Sequence, residues 1–207
     1  RLRRRAYWIL ARIVMGLGLV MPLGLGRGLG VILARLGLLL RSRERDLALR
    51  NLRLAYPDWP EGDRRRLLHR AGSALGRNLW DFVAAPRLLE QPGLVRAQTP
   101  DRPGGESFLA VLVGLRSQGR GVLVLSGHLG CWELCGAWLS REIAGLAVVT
   151  GTNHNPPVNR LVQERRRKWG MTVLERDRGP VPLLRALRGG GVVAVLMDQK
   201  LQAGSEA

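Results

Sequence analysis

The sequence predicts an α/β fold, a mostly parallel sheet flanked by helices, preceded by an apolar helical N-terminal segment that associates with a membrane. Two observations carry this. Short apolar runs at residues 121–126, 146–150, 171–174 and 192–197 alternate with stretches of helical periodicity, and strands that alternate with helices form parallel sheets covered on their faces. Residues 7–40 are overwhelmingly apolar, interrupted only by Arg12, Arg27 and Arg35.

At 207 residues the chain is long enough for one domain with a sizeable core. Three segments are expected: a membrane-associating apolar helical segment at 1–41, a helical accessory region at 42–85, and an α/β domain at 86–207. The sequence begins without Met and stops shortly after an apolar run that should be an internal strand. A C-terminally truncated fragment is therefore expected.

In the first segment the longest uncharged stretch, 13–26, is shorter than the roughly 20 residues a simple spanning helix needs. A helix sunk into one leaflet, or a tilted span whose arginines snorkel to the headgroups, fits better. A secretory signal would also place basic residues before an apolar core, but no small-residue cleavage site with a polar start follows. A buried helix pair of a soluble protein is the remaining alternative. The basic flanks, 1–5 and 41–53, suit the anionic cytoplasmic leaflet.

Residues 42–53 carry apolar side chains at helical spacing, and Tyr56-Pro57-Asp58-Trp59-Pro60 ends that helix. A second helix is expected over 62–83, with Leu67, Leu68, Ala71, Leu75 and Leu79 on one face. Residues 86–107, with Pro86, Pro92, Pro100 and Pro103, read as a loop. Helices follow at 108–116, 132–141, 157–169 and 181–187. The strands at 121–126 and 192–197 read as fully buried.

A formal charge of +17, carried mostly by arginine, favours anionic partners: nucleic acid, an anionic membrane face or phosphorylated substrates. The apolar content excludes a disordered basic tail. Cys131 and Cys135 are too few for a disulfide framework and read as reduced, buried thiols of one helix, and no partners for a zinc site are evident.

Ligands of parallel sheets bind beyond the carboxyl ends of the strands. That rule selects Ser126-Gly127-His128 after one strand and Asp198-Gln199 after another. In Gly127-His128-Leu129-Gly130-Cys131-Trp132-Glu133, the five-residue separation of His128 and Glu133 would put them roughly 140° apart on a continuous helix, so a turn is needed. Gly127 and Gly130 supply one, letting Glu133 reach back to the imidazole from the first helical turn. A carboxylate on one ring nitrogen leaves the other free as a base.

These residues resemble the signature of the lysophospholipid acyltransferase superfamily, and the Trp-Glu variant resembles the lipid A biosynthesis late (lauroyl and myristoyl) acyltransferases. Three further stretches agree: Asn51-Leu-Arg-Leu-Ala-Tyr-Pro57, Asn155-Pro156 followed by Arg166-x-x-x-Gly170, and 187–199 ending in Asp198-Gln199. Cys131 and Leu129 depart from the usual Asn and Phe. The resemblance implies that His128 deprotonates an acceptor hydroxyl, Glu133 orients and charge-stabilises the imidazole, and Asp198 is a supporting carboxylate. It implies that Arg166 and Arg176 bind phosphate of the acceptor or of the carrier's arm. No metal or permanently bound cofactor is implied. Acyl carrier protein or acyl-CoA would be the donor, a membrane lipid such as a lipid A precursor the acceptor, and the cytoplasmic side of the bacterial inner membrane, an anionic surface, the location. Two rivals remain open: a glycerol-phosphate or lysophospholipid acyltransferase, and a non-catalytic basic protein of nucleic acid or membrane. The first more often has Asp at the Glu133 position, and the sequence lacks the interleaved basic and aromatic residues of a nucleic-acid binder.

Overall fold

The computed structural model describes residues 2–91, 107–151 and 156–198, with side chains from Trp8 onward. Asn155 and Gln199, and residues 92–106 of the expected loop, lie outside the described residues. By internal contacts the chain divides into Ile13–Leu88 and a unit made of Arg1–Arg12 with Leu89–Ala207.

The Ile13–Leu88 unit is built from the second part of α1 (Leu2–Val20), α2 (Leu23–Leu40), α3 (Ser42–Ala55) and nearly all of α4 (Glu61–Glu90). Pro22, which cannot continue a helix, separates α1 from α2. Small residues let the helices approach closely: a Cβ on Gly30 would lie 2.3 Å from the Gly76 carbonyl oxygen, and one on Gly76 the same distance from that of Gly30. Gly26 abuts the Trp80 indole in the same way. Beside these crossings Arg27 donates to both carboxylate oxygens of buried Asp81 at 2.7 and 2.9 Å, and Arg35 donates to buried Ser73 at 3.2 Å. Two of the three arginines in the apolar segment, Arg27 and Arg35, are thus bonded to α4 and do not simply reach for headgroups.

Two expectations for α4 are corrected. Pro86 lies inside the helix, not in a loop, because Val83, Ala84, Ala85 and Leu88 on either side of it are buried, and packing outweighs the lost backbone hydrogen bond. Leu75 and Leu79 are exposed, at 47% and 54%, while Gly72, Gly76 and Trp80 form the packed side. One helix among the described residues, α2, is long and apolar enough to cross a membrane by length and composition.

The second unit carries the sheet. β1 (Val122–Ser126), β2 (Leu146–Thr150), β3 (Met171–Glu175) and β4 (Val192–Leu196) are all parallel, in the order β1-β4-β2-β3. Helices α5 (Phe108–Ser117), α6 (Trp132–Glu142), α7 (Pro156–Lys168) and α8 (Val181–Arg188) connect and cover them. Ser107 caps α5 by accepting from the Ala110 N–H at 3.1 Å. Leu112, Ala137, Leu139, Ile143, Leu146, Met171 and Val192 form the core. The fold class is as expected. β1 is not fully buried: at the edge of the sheet among the described residues, it leaves Leu123 and Leu125 exposed, whereas Val192 and Val193 of β4 are buried.

Candidate active site

Strand register builds the site. β1 pairs with β4 so that Ser126 faces Leu196, and the Met197 N–H extends the ladder to the Ser126 carbonyl at 2.9 Å. Two residues beyond that register His128 and Asp198 emerge side by side, although 70 positions separate them in the chain. The Asp198 carboxylate engages His128 twice, with Oδ1 2.8 Å from the ring Nδ1 and Oδ2 accepting from the backbone N–H at 2.8 Å. Gly127 permits this approach, since a Cβ there would lie 3.2 Å from the carboxylate. Gly130, at φ +59°, turns the chain into α6, and the Trp132 ring meets the imidazole edge-on at 4.9 Å.

The hydrogen bond from the His128 ring, and then that from its backbone, hold the Asp198 carboxyl below its ordinary pKa. Nδ1 bound to a carboxylate fixes the tautomer and leaves Nε2 with its lone pair for a substrate proton. His128, Asn159, Arg166, Arg176 and Met197 help line an open cavity of about 490 Å³ at the carboxyl ends of the strands.

Glu133 stands in the first turn of α6, as expected, but its partner is not the imidazole. Arg166 of α7 grips it with both arms, Nε to Oε2 at 2.9 Å and Nη2 to Oε1. Both side chains are largely buried, 14% and 16% exposed. Arg166 is therefore already neutralised by a carboxylate, unlike the free phosphate ligand foreseen for it. Arg176 lies on the same cavity as His128, its guanidinium close to Gly151, where a Cβ would come within 3.4 Å. Its acidic neighbour is Asp177, 3.6 Å away and exposed.

A second, apolar cavity of about 260 Å³ has Leu139, Leu146, Val148, Met171 and Ala194 among its walls. Trp132, Thr150 and Arg166 border both cavities. Cys131 and Cys135 form no disulfide; against the expectation of buried thiols, Cys131 is half-buried and Cys135 exposed. Cys135 faces the apolar cavity, where the surrounding protein pushes its thiol pKa up. Among the described residues no cluster of metal-ligating side chains occurs.

At the strand ends of this α/β unit stand an imidazole with an attached carboxylate, one polar and one apolar cavity. The chain is matched over residues 1–207 by the model of the bacterial lipid A biosynthesis acyltransferases, and it belongs to that family. It is an acyltransferase, which decides against the non-catalytic rival. Comparison with curated proteins gives no match.

Proposed function

We propose that the chain moves a fatty acyl group from acyl carrier protein, or acyl-CoA, onto a hydroxyl of a lipid A precursor or similar glycolipid, with His128 as general base. The His128–Asp198 contact at 2.8 Å on the rim of the polar cavity carries this reading. Nε2 takes the acceptor proton as the oxygen attacks the thioester carbonyl. A C–O bond forms, the C–S bond breaks, and the imidazolium returns its proton to the departing thiolate. Asp198 keeps the ring oriented and offsets its positive charge.

Glu133 takes a different part from the one inferred from sequence: it holds Arg166 in the partition between the cavities. Arg176, more exposed and only loosely paired, is the better contact for an acceptor or carrier phosphate. The apolar cavity suits the acyl chain, and the basic surface suits an acidic carrier protein. A location on the cytoplasmic side of the inner membrane follows from a lipid acceptor and a soluble carrier.

The test is transfer of labelled acyl groups from acyl carrier protein to a phosphorylated glucosamine lipid. The His128→Ala protein should bind both substrates yet turn over about 10²- to 10⁴-fold more slowly. Unchanged turnover would discard the general-base role.

A further inference from the structure

We propose that the Thr150 hydroxyl is an oxyanion donor: it hydrogen-bonds the carbonyl oxygen of the acyl thioester and stabilises the negative charge that gathers there as the acceptor attacks. This role belongs to the acyl-transfer reading above and rests on it.

Thr150 ends β2, and by strand alternation its side chain shares a face with Leu146 and Val148, both walls of the apolar cavity. Parallel register carries that face across the sheet. Val124 and Val148 both pair with Ala194, so two residues further along Ser126, Leu196 and Thr150 make up the next row on the same face. His128 and Asp198 follow Ser126 and Leu196 by two residues more. Thr150 therefore stands at the level where the apolar cavity gives way to the imidazole and its carboxylate, and it also borders the polar cavity that His128 lines.

A thioester carbonyl joins an apolar chain to a polar carrier arm. With the chain in the apolar cavity and the acceptor oxygen on Nε2, the carbonyl has to sit where the two cavities meet. Among the side chains bordering both, Trp132, Thr150 and Arg166 carry polar hydrogens. Arg166 commits Nε and Nη2 to Glu133, and the Trp132 ring is set edge-on to the imidazole. Thr150 has no such engagement: its Oγ1 is buried without a hydrogen-bond partner among the described residues. Trp80 Nε1, Arg87 Nε and Ser140 Oγ share that condition, but none of those residues lines either cavity.

A buried hydroxyl without a partner destabilises a fold, and valine would fill the same strand position without that penalty. The thioester oxygen supplies the missing acceptor, and the bond strengthens as that oxygen becomes negative. No proton leaves the threonine: its hydroxyl keeps its hydrogen, and His128 carries the acceptor proton to the departing thiolate.

The experiment pairs Thr150→Val, which removes the donor at nearly equal volume, with Thr150→Ser, which keeps it. Transfer of labelled acyl groups from acyl carrier protein to a phosphorylated glucosamine lipid is measured with the full chain. In Thr150→Val kcat should fall about 10²-fold with KM little changed, while Thr150→Ser stays close to the parent. The thermal midpoint of Thr150→Val should be no lower than the parent's, because the substitution removes an unpaired buried polar group. Should valine not be tolerated, Thr150→Ala set against Thr150→Ser reads the same donor. Parental turnover without the hydroxyl, a change in KM alone, or a serine variant as slow as the valine one would each overturn the proposal. His128→Ala in the same assay separates the two roles: a slow His128→Ala beside an unimpaired Thr150→Val removes the oxyanion donor and leaves the general base standing.

Discussion

Asp198 accepts from both the ring and the backbone of His128, so one carboxylate fixes the imidazole in position and in tautomer. Its lowered pKa has a definite sign: the interaction favours the folded state above the ordinary aspartate range and is lost as pH falls through the lowered value. Carboxyl-carbon NMR should show Asp198 titrating below a normal aspartate, and His128→Phe should move that midpoint upward. A midpoint unmoved by the substitution would mean the ring does not hold the carboxylate. Gly127 is the other residue on which the contact depends. Gly127→Ala, pressing a methyl to 3.2 Å from the carboxylate, should lower turnover while leaving thermal stability close to the parent. His128 and its glycine frame were legible because they follow an apolar strand. The partner was legible only in part: the strand-end rule selected Asp198 and the family resemblance made it a supporting carboxylate, but Glu133, five positions on, was taken to hold the ring, because no local pattern encodes the strand pairing that brings Asp198 to it.

At the scale of the elements, short apolar runs mark strands because β-branched and aliphatic residues fill a sheet covered on both faces. Boundaries for β2 and α6 follow the sequence closely. What apolar patterning misreads is packing by absence of side chain. The leucine stripe of α4 looks like its buried face, yet backbone contact at Gly30 and Gly76 determines which side meets α2. Glycines interrupting an apolar helix were the available signal, spaced four apart at Gly26 and Gly30 and again at Gly72 and Gly76. Gly76→Leu should therefore lower stability by about 1–3 kcal/mol through overpacking, measured by thermal or denaturant unfolding in detergent. Leu75→Ala, one position away but exposed, should change it far less. Equal effects would show that the crossing is not the tight point. Pro86 teaches the same lesson, since a residue that ends most helices is carried by the packing around it.

Over the whole molecule, a basic, apolar-rich chain has an α/β unit that carries the His128–Asp198 pair and a helical unit with many exposed leucines. Composition alone left nucleic acid, membrane and phosphorylated substrate equally open as the source of the charge requirement. Family membership establishes acyl transfer. The central claim, that His128 and Asp198 act as one proton-transferring unit, is tested most directly by single-turnover acyl transfer in His128→Ala, Asp198→Asn and the double variant. Each substitution alone should be severe, and the pair should lose no more than His128→Ala does, because a carboxylate without its imidazole has nothing left to orient. Losses that multiply would place Asp198 in a separate task and contradict the account.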